Sequence, residues 1–166
     1  MMTTFRASGI LTALCIAGAL ANPALASEDE DEVLAIADQA LELISAEDFV
    51  GLTDLMLDTG MAYSSRLRDG KYLVRSQTYA EQRGAEADAD FVERGFNPTV
   101  LVSGPLATIW YPYDFYTDGT WSHCGVDVFN LLRTDDGWRI ASMLWSAEQP
   151  PACAAHPDGP PGGPAE

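Results

Sequence analysis

Asp127 stands between Val126 on one side and Val128-Phe129 on the other. A carboxylate in such apolar company loses hydration, so it must be paired or take up a proton and become a hydrogen-bond donor. His123 lies four residues earlier, which places it on the same face of a strand. An acid and an imidazole on one face are the two groups that acid–base work requires. Asp118-Gly119 precedes them, and an Asp-Gly pair between β-capable runs is a strong hairpin signal. If it is a two-residue turn, Asp114 stands opposite His123 and Trp110 opposite Asp127, with Phe129 and Thr108 on the same face. An Asp opposite a His fixes its tautomer, and an indole N–H beside a buried carboxylate can bond it. Pro112 can instead force a bulge, which brings Tyr113 onto the face of His123. One hairpin further on, a two-residue turn at Asp136-Gly137 puts Ser146 opposite Asp127. A three-residue turn with a bulge at Gly137 puts Trp145 there. The candidate catalytic residues are therefore Asp127 and His123, and the candidate ligand contacts Trp110, Tyr113, Asp114, Phe129 and Trp145. The plainer alternative is that the aromatics are core or interface, and that His123 and Asp127 make structural hydrogen bonds.

Other chemistries lack their residues. Two histidines, His123 and His156, in no zinc spacing give no expected metal site. There is no Gly-rich phosphate loop, no Gly-x-Ser-x-Gly elbow and no nucleotide fingerprint, so no cofactor is expected. The formal net charge of −16 repels phosphates, which argues against nucleic acid and against anionic membrane surfaces as partners.

The N-terminus carries Arg6, an apolar run from Ile10 to Ala21, a break at Asn22-Pro23 and the small-x-small triplet Ala24-Leu25-Ala26. That is the pattern of an export signal over residues 1–26, leaving Ser27 as the mature N-terminus. The run is too short for a membrane span of about 20 residues, so no stable anchor remains after cleavage. All 25 acidic residues and eight of the nine basic ones follow the cleavage point, so the mature chain carries −17. The expected location is periplasmic or secreted. In an oxidising compartment the two mature cysteines, Cys124 and Cys153, are expected to form a disulfide.

The elements that position these residues follow from periodicity. Val33, Ile36, Ala37, Ala40, Leu41 and Ile44 recur at helical spacing. Ser45 reads as the N-cap of a second, short helix with Phe49, Leu52, Leu55 and Met56 as its stripe. Residues 61–76 form a hairpin about Asp69-Gly70. Residues 78–93 read as a helix with Gly84 as a weak point. Strands follow at 100–103, 106–117, 120–133 and 138–147, an antiparallel meander. The class is α+β, with N-terminal helices packed on a curved, mainly antiparallel sheet that forms a cone. Such hollows are common ligand sites. Residues 27–149 make one domain, and the Pro/Gly-rich tail 150–166 is expected to be mostly disordered.

The element order, the run His123-Cys124-Gly125-Val126-Asp127-Val128-Phe129 and the segment Asp136-Gly137-Trp138-Arg139-Ile140 resemble the nuclear transport factor 2-like superfamily over about residues 32–148. The resemblance implies its cystatin-like roll. The superfamily includes SnoaL-like proteins, ketosteroid isomerases and exported bacterial proteins without an assigned activity, and the last group is the nearest in pattern. Asp127 takes the place of the isomerases' oxyanion-binding acid, a carboxylic acid kept neutral by an apolar site. Their first-helix tyrosine is matched by Ala40. Their catalytic base is matched by Ser64, with Tyr63 and Asp58 nearby. Those departures argue against steroid isomerisation.

Three functions are compatible with these features. One is an exported domain that binds a small, largely apolar molecule in the cone. Another is an isomerase, hydrolyase or cyclase using His123 and Asp127. The third is an interaction module, since the resemblance implies a homodimer through the sheet.

Overall fold

The computed structural model describes residues 23–162. The expected export signal therefore lies outside the described residues, apart from Pro23–Ala26 at the start of the first helix. Helices α1 (Pro23–Ser45) and α2 (Phe49–Asp54) precede strands β1 (Met56–Arg68) and β2 (Lys71–Thr78). Helix α3 (Tyr79–Arg83) leads to β3 (Phe91–Gly95), β4 (Thr99–Ser103), β5 (Leu106–Thr117), β6 (Thr120–Thr134) and β7 (Gly137–Ala147). The strands form one sheet in the order β2-β1-β7-β6-β5-β3, and β4 pairs with β5 as well. β1 and β7 run parallel, and the other pairs are antiparallel. The fold is thus α+β, with N-terminal helices on a curved, mostly antiparallel sheet.

The core lies between α1 and the sheet's inner face. Val33, Ala37, Ala40 and Leu41 of α1 are buried together with Ala107, Ile109 and Tyr111 of β5, Phe129 and Leu131 of β6, and Ile140 and Met143 of β7. Small residues at positions 37 and 40 let the helix approach the sheet closely. Tyr111 reaches past the core, and its hydroxyl donates to Asp38 at 2.7 Å.

Four local features differ from the sequence reading, and three of them shape the site. The cap of α2 is Asp48, which accepts from Gly51 N at 2.8 Å. Ser45 ends α1 instead, and its hydroxyl accepts from Glu93 N at 2.8 Å and donates to Glu93 O at 3.2 Å. The long helix expected over 78–93 is one turn only. A capping box between Thr78 and Glu81 starts it, and Gly84 ends it. Phe91–Gly95 then pairs with β5, because a bare edge beside Tyr113–Thr117 satisfies its backbone groups.

The third difference is the β5–β6 register. Asp118-Gly119 is a two-residue turn with φ of 50° and 72°. The register then shifts between Phe115 and Tyr116: Tyr116 pairs with Trp121, and Phe115 with His123. Ser122 is the extra residue. Beyond it Tyr111 pairs with Asp127 and Trp110 with Val128. The β6–β7 pairing shows the fourth difference, with Asp135-Asp136 as the loop and Gly137 at φ 97°. A further shift between Asn130 and Leu131 leaves Ala141 over, and Trp145 pairs with Asp127. Of the two alternatives, Trp145 and not Ser146 stands opposite the acid.

Cys124 and Cys153 form the expected disulfide, with Cα atoms 5.8 Å apart. The tail, expected to be mostly disordered, is also attached through His156. Its backbone N–H donates to Asp114 Oδ2 at 3.0 Å, and its ring lies edge-on to Phe96 at 5.5 Å. No described helix is long and apolar enough to cross a membrane.

Candidate functional site

The inner face of the sheet and the three helices enclose a cavity of about 320 Å³. Phe49 and Leu52 of α2, Phe115 of β5, Phe129 of β6, and Met143 and Trp145 of β7 form most of its wall. Five polar side chains interrupt it: Gln77, Gln82, Glu93, His123 and Asp127. A wider recess of about 830 Å³ adjoins the cavity through Gln77, His123 and Trp145, and carries Arg66, Arg68 and Arg75. The cone is therefore apolar and acidic at depth and basic at its mouth.

Asp127 is buried, and its Oδ2 has no hydrogen-bond partner among the described residues. Loss of hydration raises its pKa well above the usual carboxylate value, and the charge of Glu93 raises it further. Burial pushes Glu93 up to about 8. Burial also lowers His123 to about 4, with the nearby Arg66 charge adding to the effect. At neutral pH the site thus holds two carboxyl groups that favour their protonated forms and one neutral imidazole. His123 stacks on Phe115 with centroids 4.6 Å apart and meets Tyr113 edge-on at 5.8 Å. Its Nδ1 lies 3.1 Å from the Ser122 hydroxyl, so the bulge residue itself orients the ring.

Tyr113 is buried on the inner face beside this group, and its hydroxyl donates to Ser146 O at 2.9 Å. Burial, with Asp127, Glu93 and Glu148 nearby, pushes its phenol further up, so it stays a donor. Gly125 makes room for that contact. A Cβ there would meet Ser146 O at 2.1 Å and Ser146 Oγ at 2.7 Å. Gly125→Ala must push β7 away and should destabilise the domain by about 1–3 kcal/mol in urea unfolding. A loss within experimental error would mean that β7 is not fixed at this point.

Asp127, His123 and Phe129 lie on the inner face, as expected, and so do Tyr113 and Trp145, whose placement the sequence left open; all but Tyr113 line the cavity. Trp110 and Asp114 do not. The bulge at Ser122 turns both to the outer face. Trp110 is 54% exposed there. Asp114 is fully buried in a bidentate ion pair with Arg94, at 3.0 Å from Nε and 2.6 Å from Nη2, under the tail. It fixes the outer layer and has no access to the cone. Ser64, matched above to the isomerases' base, lies in the mouth recess, while Tyr63 and Asp58 are exposed.

Glu93 was not among the sequence candidates. Its signal was present: Phe91 and Glu93 alternate with Val92 and Arg94, as in a strand with one face inward. The helix reading of 78–93 hid it. Among the described residues no group of three His, Cys, Asp or Glu side chains is placed to hold a metal ion.

No protein-family model matches the sequence, and no curated protein matches it. Solved structures do match its fold. A Streptomyces avermitilis protein of the nuclear transport factor 2-like family, provisionally assigned as a dehydratase, is 21% identical over 75% of this chain and 99% of its own, with a TM-score of 0.59. A nuclear transport factor 2-like protein with a cystatin-like fold from Novosphingobium aromaticivorans is 18% identical over 78% of this chain and 88% of its own, TM-score 0.59. The β subunit of a provisionally assigned aromatic-ring-hydroxylating dioxygenase from the same species is 10% identical over 75% of this chain and 92% of its own, TM-score 0.63. At such identities the likeness is one of fold.

Proposed function

We propose that this chain, a nuclear transport factor 2-like domain in fold, is an exported module that binds a small, largely apolar molecule in its cone. The observation that carries the reading is Asp127, a buried acid that lines a largely apolar cavity and whose Oδ2 has no hydrogen-bond partner among the described residues. An orphaned polar atom of this kind costs about 1–3 kcal/mol, which a ligand's polar end recovers. The volume equals about ten waters, enough for one ring with a short substituent. The disulfide and the export pattern support an oxidising compartment.

Native mass spectrometry of protein purified from its own host tests binding and export together. The mature chain should begin at Ser27 and carry a small-molecule adduct. Met143→Trp, which fills the cavity wall, should abolish the adduct without unfolding the protein. A bare protein, or an adduct that survives the substitution, would sink the binding reading. Retention of Met1–Ala26 would sink export.

A second reading, catalysis, has one observation in its favour. Glu93, at about 8, lies near the working pH, where a proton-transfer group is most effective. His123, at about 4, is too weak a base for that role. An isomerase or hydrolyase here would use Glu93 with Asp127 as the neutral donor, and the dehydratase assignment of the Streptomyces protein is compatible with such chemistry. The sheet's outer face, where Tyr63, Val74, Trp110 and Leu144 are exposed, is where a second copy would dock.

A further inference from the structure

We infer that the cone selects an organic cation: a small apolar amine whose ammonium sits between Asp127 and Glu93 while its hydrocarbon portion fills the aromatic pocket. The inference rests on the binding reading above and names its ligand class.

Two carboxyl groups share one cavity, and none of the residues lining it is Lys or Arg. Asp127 Oδ2 has no partner, and the Glu93 carboxyl makes no hydrogen bond among the described residues; only its backbone is held, by Ser45. Asp127 is buried and Glu93 half-buried, and acids withdrawn from water in a folded domain are ordinarily paired. Asp114 shows how this chain does it, with Arg94 and a backbone N–H on one carboxylate. The inner pair has no such cation. An alkylammonium supplies one positive charge and up to three donors, and the neutral imidazole of His123 offers a further acceptor on the same wall.

The rest of the pocket suits the same ligand. Phe49, Phe115, Phe129 and Trp145 present ring surface, whose electron-rich faces attract cations. The helices contribute Ile44, Phe49, Leu52 and Gln82 to the lining, none of them charged. From β1 and β2, Arg66 and Arg75 lie in the wider recess at the mouth. Arg94 of β3 is engaged on the outer face with Asp114. Beyond β7, Glu148 adds negative charge near Tyr113. No fixed cation at depth thus competes for the two acids, which become negative when a ligand's charge displaces a proton. The acidic surface of the mature chain also concentrates cations around it.

A neutral ligand predicts the opposite linkage to protons. An alcohol or ketone oxygen would accept from protonated Asp127, so its binding would weaken as pH rises. An ammonium needs at least one carboxylate, so each binding event sends one proton from the carboxyl pair to solvent. Its affinity should then rise by up to tenfold per pH unit below the pair's own titration.

The test is isothermal titration calorimetry of the mature, disulfide-intact protein with 2-phenylethylamine and its isostere 2-phenylethanol. The amine should bind at least about tenfold tighter than the alcohol, because the carboxylates reward charge as well as shape. Its affinity should rise between about pH 6 and 7.5, and heats in two buffers of different ionisation enthalpy should show about one proton released. Asp127→Asn and Glu93→Gln should each weaken the amine several-fold, and by a larger factor than they weaken the alcohol, whose binding uses no carboxylate charge. If the alcohol binds as tightly as the amine, or amine binding releases no proton, the cation inference is overturned while the cone remains a ligand site. If neither probe binds, the inference fails, and the cone reading then rests on the co-purified molecule alone.

Discussion

Cys153→Ser should lower stability by about 3–4 kcal/mol and leave the sheet in place. The bridge spans a sequence separation of 29 residues, from the fully buried Cys124 on β6 to the start of the tail. Opening it returns the loop-closure entropy of that segment to the unfolded chain. It also frees the tail, so Asp114 loses the His156 N–H and keeps Arg94 alone. For a domain of this size such a loss lowers Tm by about 10 °C. Thermal unfolding of the oxidised protein, the reduced protein and Cys153→Ser should give one high and two matching low transitions. A reduced protein that melts with the oxidised one would show that the segment is ordered by packing without the bridge. The far-UV spectrum should not change, because β6 and β7 are paired from Asp127 to Thr134 independently of the tail.

The features of this structure that could be read from the chain are those fixed by local chemistry. Val33, Ala37, Ala40 and Leu41 mark the buried face of α1 because their spacing admits one orientation. Asp69-Gly70 and Asp118-Gly119 mark turns because the backbone there needs positive φ, at 53° and 74° in the first pair. Asp127 could be placed in the interior because three apolar neighbours leave it no solvated face. The rest depended on single residues with no local signature. Ser122 bulges although nothing in Trp121-Ser122-His123 demands it, and that one insertion moves Trp110 and Asp114 to the outer face. Glu93 belongs to a five-residue strand, too short for its alternation to outweigh the Ala-rich run before it. Its place in the cone is set by Ser45, 48 residues away in sequence.

Between about pH 6.5 and 8 the folded protein should lose stability as pH rises, and Asp127→Asn should flatten that loss. The pKa values of Asp127 and Glu93 are raised in the folded state above their unfolded values of about 3.9 and 4.3. The native state therefore holds more protons than the unfolded chain throughout the interval. Stability falls with pH wherever that is so, by about 1.4 kcal/mol per pH unit for each proton retained. The contribution is complete below the unfolded values and disappears as pH passes Glu93 at about 8 and the raised value of Asp127. His123 has the opposite sign. Its folded value is lowered to about 4, so its contribution is present above the unfolded value of about 6.5 and is lost as pH falls towards 4. Below about pH 6.5 it offsets one of the two acid protons and masks the slope. Above that pH the acids act alone, which makes this the interval to measure. Urea unfolding at three pH values across it should show wild-type stability falling with a slope of between one and two protons. Asp127→Asn keeps the side chain's shape and hydrogen-bonding capacity without an ionisable proton. It should already exceed wild type at the acid end of the interval and by a wider margin at pH 8, with one proton removed from the slope. Asp127→Leu should also fold, since it removes an unpartnered polar atom from an apolar wall, but it loses the anchor for a ligand's polar end. A wild-type stability that is level or rises over this interval would mean that Asp127 and Glu93 ionise freely, and the apolar, acid-lined cone would no longer be tenable.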